Sequence, residues 1–411
     1  MKKTNWITNS VSNTNLLMFI TVFLLCISGL IALYSASLHV EAPFFKKVIG
    51  KQILWMIVGL LAILVVFFAQ RKLLFNGALI LYWIGIVLII APYFIGNSVA
   101  GANRWIVLGP FHFQPSEFMK IIVIIGIARY LSKNDLVISD FKSLIIPLFL
   151  ALLPMAIVLK QPDLGTSMIY IILVFPMLIW AGARIYHLFI IIAPVISILT
   201  AFNFYSFFIW VLCLIVILYF SKEKIWLAIV LFIFNLSLGF ATPVLWNRLK
   251  PYQQNRILTL FNVEADPQGS GYQVIQSQIA VGSGGLFGKG IGNGTQTHLK
   301  FLPEQHTDFI FSVVGEEYGF IGVGSVLLLF LILTVILISV AFRLRDRFSS
   351  LVVIGVTSVL FFHTVINVAM TIGLMPVTGL PLPFLSYGGS FIITCFLMIG
   401  LVFNLSMDRH R

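Results

Sequence analysis

"NLLMFITVFLLCISGLIALYSAS", residues 15–37, carries no charged side chain. It is longer than the roughly twenty apolar residues a helix needs to cross a hydrocarbon core of about 30 Å. Comparable segments recur near 52–70, 74–95, 116–132, 144–159, 166–182, 186–203, 206–220 and 225–243. After a long polar gap, three more follow near 308–342, 350–373 and 384–407. The pattern predicts about twelve spans and an all-α polytopic integral membrane protein, with residues 1–411 as one transmembrane domain.

Composition agrees. Of 411 residues only 10% are charged and 60% are hydrophobic, where soluble domains carry roughly a quarter charged residues. Mean hydropathy is +1.04. The formal net charge of +12 falls in short loops, where positive-inside bias and anionic lipid headgroups account for it. No basic stripe interleaved with aromatics points to nucleic acid. Cys26, Cys213 and Cys395 lie in apolar runs without metal-ligand spacing and read as small hydrophobes. "MKKTNWITNSVSNTN" precedes the first run without a small-residue cleavage site, so it reads as a cytoplasmic tail.

A cytoplasmic N-terminus places Arg71/Lys72, Arg129/Lys133/Lys142, Arg184, Lys222/Lys224 and Arg343/Arg345/Arg347 inside, with Lys46, Lys47 and Lys51 against the trend. An even number of spans puts both termini in the cytoplasm. Three segments then face outward: 96–117, the long loop of about 244–307, and "MPVTGLPLPFLSYGG" (375–389).

The long loop holds "FNVEADPQGSGYQVIQSQIAVGSGGLFGKG" (261–290). Its glycines invite comparison with a phosphate loop, which requires Gly, four residues, then Gly-Lys-Ser/Thr. Here the first position is Ser283 and Gly290 follows Lys289, so the motif fails. The glycines are instead expected to permit close backbone approach in a re-entrant or surface-lying segment.

The acids need another reading. The chain has only 14, and ionisable groups at a membrane surface are costly enough to mark function. The outward set is Glu41, Glu117, Asp163, Glu264, Asp266, Glu304 and Asp308, with Glu316 and Glu317 deeper in a helix. Asp266 precedes Pro267 in a turn that would present its carboxylate rigidly, and apolar surroundings would raise it toward the working range of a base. Arg248, Lys250, Arg256, Lys289 and Lys300 lie nearby in sequence and suit a lipid-linked phosphate. Glu117 and Lys120 form an i, i+3 pair opening a helix, Trp105 reads as an interfacial anchor, and His306 alone among the histidines has polar companions.

"GANRWIVLGPFHFQPSEFMK", "QPDLGTS", "ADPQGSGYQVIQSQIAVGSGGLFGKG", "FLPEQHTDFIFSVVGEEYG" and "GLPLPFLSYGGS" together resemble the SEDS family, most closely its rod-shape members. The resemblance spans the chain. It implies a glycosyltransferase that polymerises lipid II at the outer face of the bacterial cytoplasmic membrane, beside a class B penicillin-binding protein. The family's essential Asp maps to Asp266. Its Trp and Glu map to Trp105 and Glu117, and Lys120, Asp163, Arg256, Lys289, Glu304, His306, Asp308 and Ser386 are expected to bind substrate or line the site. Asp266 would act as general base, and Arg256 and Lys289, with or without Mg2+ or Mn2+, would meet the leaving diphosphate; Glu264 is expected to be dispensable. The family core has ten spans, so one helical hairpin, at 206–243, is additional. Two other readings stand beside the enzyme: a lipid II flippase, which would need a site at the midplane, and a scaffold for the transpeptidase.

Overall fold

The computed structural model describes residues 2–38, 43–95, 104–109, 111–133, 135–138, 140–220, 225–249, 254–255, 258, 270–299 and 301–407. Each of the twelve apolar segments forms helix. The first half contains α1 (Lys2–Ala36), α2 (Val48–Phe67), α3 (Arg71–Ile90) and the short α4 (Pro92–Ile95). A hairpin of β1 (Ile106–Leu108) and β2 (Phe111–Phe113) pairs antiparallel, Val107 opposite His112. Then come α5 (Pro115–Leu131), α6 (Lys142–Lys160), α7 (Leu164–Ile172), α8 (Val174–Ala181), α9 (Ile185–Thr200), α10 (Phe204–Phe220) and α11 (Ile225–Arg248). Beyond the polar gap lie α12 (Ser270–Ser283), α13 (Thr295–His298), α14 (Ile310–Arg343), α15 (Arg347–Thr371) and α16 (Gly389–Ser406).

Among the described residues, nine helices are long and apolar enough to cross a membrane, with α7 and α8 together forming one of them. Helices α9 and α10 are shorter, and α5 has 17 residues. Two details differ from the sequence expectation. The 166–182 segment is interrupted at Leu173, because Pro176 has no N–H to offer the carbonyl of Ile172. The last helix starts at Gly389, not at 384: Phe384 has φ +65°, and Ser386 Oγ accepts from the Leu382 N–H at 2.8 Å, stapling a turn.

Lipid tails are as apolar as leucine, so burial alone does not drive these helices together; close packing and interhelical hydrogen bonds must. Helices α2 and α16 pack through Gly59, where a Cβ would collide with the Phe396 ring, and through Gly400, where a Cβ would be tight against Ile63. Helix α15 is the centre of the bundle, with 78% of its apolar window buried, against 17% for α11. Helices α9, α10 and α11 share a separate small core of Ala193, Leu214 and Leu218. There Asn235 accepts from Ser197 at 2.9 Å and Ser197 accepts from Trp210 at 2.8 Å.

Hydrogen bonds identify the two ends of the bundle. At one, Ser406 donates to Asn15 at 3.0 Å, Asn404 caps the carbonyls of Val66, Phe67 and Ala69, and Arg71 pairs with Asp346. Asn15 of α1 and Ser406 of α16 therefore share that end. The opposite end gathers the loops between α3 and α5, between α6 and α7, between α12 and α14, and between α15 and α16.

Candidate functional site

Polar side chains that an apolar bundle can hold only if they are partnered converge on this second end. Asp163 caps α7, accepting from Thr166 N at 3.1 Å. Its other oxygen accepts from Gln114 Nε2 at 3.0 Å and lies 3.5 Å from the Arg104 guanidinium. Arg104 in turn lies over the Trp105 ring, 5.8 Å from its centroid, and Trp105 meets His112 edge to face. Ser390, opening α16, accepts from the Gln114 N–H at 3.0 Å and donates to the His112 carbonyl at 3.1 Å. The β-hairpin is thus tied at its base to both α7 and α16.

Asp308 borders the same floor. Burial pushes its carboxyl up to about 6, the neighbouring Glu304 adds to the rise, and Arg104 opposes it. Glu304, exposed at φ +53°, accepts from Thr307 Oγ1 at 3.1 Å. Ser386 donates to the Thr307 carbonyl, its own carbonyl accepts from Gln52, and Tyr387 N donates to the His306 carbonyl at 2.8 Å. Asn367 of α15 donates to the carbonyls of Asp308 and Leu380, at 2.8 and 2.7 Å. Behind this layer Lys120 is fully buried. It donates to Glu117 at 2.8 Å and to His363 at 3.0 Å.

Trp105, Glu117, Lys120, Asp163, Glu304, His306, Asp308 and Ser386 are therefore brought to one end of the bundle. Lys289 also lies at this end, in a separate cluster. It donates to Glu316 at 2.8 Å, and Glu316 also accepts from the backbone N–H groups of Gln296 and Thr297 and from both threonine hydroxyls at 295 and 297. This pair fastens a loop onto α14. Asp266, Glu264 and Arg256 lie outside the described residues. Arg104, Gln114, His363 and Asn367 carried no sequence signal strong enough to select them, although Arg104 stands within the "GANRW" motif.

The glycine-rich stretch has a structural explanation. Helix α14 is kinked at Gly319, φ +63°, which frees backbone groups on both sides of the break. The loop satisfies them: Lys289 N and Gly290 N donate to the carbonyls of Glu316 and Glu317, while Phe320 N and Ile321 N donate to those of Gly285 and Leu286. A Cβ at Gly284, Gly288 or Gly319 would strike the opposing backbone.

No group of three or more His, Cys, Asp or Glu side chains among the described residues could hold a metal ion. A groove of about 440 Å³ beside this end, lined by Ile27, Leu30, Ile31, Tyr34, Ile49 and Ile291, is wholly apolar.

A family model of cell cycle proteins, FtsW/RodA/SpoVE, matches residues 15–209 and 203–411. The chain belongs to this family. It is 33% identical to the peptidoglycan glycosyltransferase RodA of Treponema pallidum over 96% of this chain and 98% of that one. It is 35% identical to the peptidoglycan glycosyltransferase MrdB of Escherichia coli K12, over 100% and 96%. A solved chain from a peptidoglycan synthase complex that coordinates polymerization and crosslinking matches with a TM-score of 0.71 and 29% identity, over 96% of this chain and 98% of that one. The two matched segments of the family model meet at 203–209, where α10 begins.

Proposed function

We propose that this chain is a peptidoglycan glycosyltransferase that polymerises lipid II at the outer face of a bacterial cytoplasmic membrane, with both termini inside. One observation carries the reading: buried and half-buried ionisable and amide side chains interlock at one end of the bundle, around Asp163, Arg104 and Asp308. A one-ended site suits chemistry at a membrane face better than passage through the bilayer.

Two described helices flank the segment holding Asp266 in the sequence. On one side α11 runs to Arg248. On the other, Ser277 of α12 donates to the Thr371 carbonyl at 2.6 Å.

In the proposed reaction Asp266 takes the proton of the acceptor sugar's 4-hydroxyl. That oxygen bonds to the donor's anomeric carbon with inversion, and the carbon–oxygen bond to undecaprenyl diphosphate breaks, its electron pair leaving with the diphosphate. Arg256 is the sequence candidate for meeting that charge. A divalent cation, Mg2+ or Mn2+, would supply further charge neutralisation on the diphosphate; the described side chains form no cage for it, and no step here depends on it. The partner is a class B penicillin-binding protein that cross-links the product. The test is incubation of the purified protein with labelled lipid II, with and without that partner and with and without Mg2+ or Mn2+, scoring glycan strands by length.

A further inference from the structure

His363 lies in the middle of α15, fully buried, and both of its ring nitrogens are engaged. Nδ1 is 3.2 Å from the Pro381 carbonyl, which can only accept, so Nδ1 carries the proton. Nε2 is then a bare acceptor, and Lys120 Nζ donates to it at 3.0 Å. The ring lies against Phe391 of α16, centroids 4.9 Å apart, and Lys120 Nζ lies 5.5 Å from the same ring. This imidazole therefore links three elements: α5 through Lys120, the 379–388 loop through Pro381, and α16 through Phe391.

These elements bear the two halves of the floor. The first turn of α5 holds Glu117, paired with Lys120, and follows Gln114, which holds Asp163. The loop places Gly379 against the Asp308 carboxylate and Ser386 on the Thr307 carbonyl. One turn along α15, Asn367 ties the Leu380 and Asp308 carbonyls together. A helix that needed only packing here would carry a hydrocarbon, since burying polar groups costs stability unless every one is partnered.

We propose that His363 is a positioning residue for polymerisation: as the Nδ1–H tautomer it joins Lys120 to Pro381 and so fixes the Asp163 half of the floor relative to the Asp308 half. The inference rests on the glycosyltransferase reading for its activity arm and on geometry alone for its spectroscopic arm.

The variants separate positioning from packing. His363→Gln offers an amide oxygen to Lys120 and an amide N–H to Pro381; His363→Phe keeps the ring and removes both. With both variants monodisperse and melting cooperatively, His363→Phe is expected to lower kcat on lipid II about tenfold or more with little change in KM, as misplacement of reacting groups does. His363→Gln is expected to restore most of the rate. Nitrogen-15 NMR of histidine-labelled wild-type protein, with the His363→Gln sample identifying the resonances, should show Nδ1 protonated and Nε2 bare. The proposal is overturned by a wild-type rate in His363→Phe, by a His363→Gln enzyme as slow as His363→Phe, or by an Nε2–H tautomer. A wild-type protein inactive on lipid II overturns the functional reading instead and leaves the NMR result to decide the geometry.

Discussion

Gln114 donates its side-chain amide to Asp163 across 3.0 Å, joining residues 49 apart in sequence at the starts of α5 and α7. Asp163 does three things at once: it caps α7, anchors Gln114, and pairs with Arg104. Asp163→Ala removes a cap and strands two buried donors, for an expected loss of about 2–4 kcal/mol. Asp163→Asn can keep the cap oxygen but sets an amide N–H against the Gln114 donor and gives up the loose pair with a partly exposed arginine, so it should cost less than alanine, about 1–2 kcal/mol. Unfolding of the purified protein in detergent checks the order.

Gly288 and Gly319 should resist any side chain. Both have positive φ, and a Cβ at either meets backbone of the other segment. Gly288→Ala or Gly319→Ala is expected to lower the melting temperature and expose 284–299 to protease. Gly282→Ala, in helix with open space around it, should be neutral or stabilising by about 0.5–1 kcal/mol.

Lys289 was a natural choice for a phosphate ligand by sequence, yet its amine is committed to Glu316. Lys289→Met is therefore expected to destabilise the protein by about 1–3 kcal/mol, leaving KM for lipid II within about twofold of wild type. A large rise in KM without loss of stability would contradict this assignment.

Asp308 should leave a signature in pH. Its carboxyl is raised from 3.8 to about 6, so the folded protein binds that proton more tightly than the unfolded chain. Its contribution is therefore favourable at low pH and is lost as pH rises from about 4 through about 6, with the full penalty above. Asp308→Asn should flatten stability over that window and raise it at pH 7–8 by about 1–3 kcal/mol. Melting temperatures across pH 4–8 for both proteins decide it.

The sequence was legible where one physical requirement dominates. A bilayer demands about twenty apolar residues per helix, so 15–37 and its successors could be marked before any contact was known. The closely spaced glycines of 282–290 could be read as close backbone approach, and the kink at Gly319 supplies the approached surface. Trp105, Glu117 and Asp163 were reachable because their motifs resemble a known family. His363 and Asn367 were not. Both stand in one largely apolar helix among scattered serines and threonines, and their partners are 243 and 59 residues away, so only the packed bundle shows that they are engaged. The partner of Lys289 was hidden for the same reason, since Glu316 lies 27 residues on.

Asp266 is the proposed base of a lipid II polymerase. The most direct measurement compares glycan strand formation from labelled lipid II by purified wild-type protein and by Asp266→Ala, each with its class B penicillin-binding protein and each shown to melt at the same temperature. Long strands are expected from the wild type and none above background from Asp266→Ala. Strands from Asp266→Ala at the wild-type rate would contradict that role.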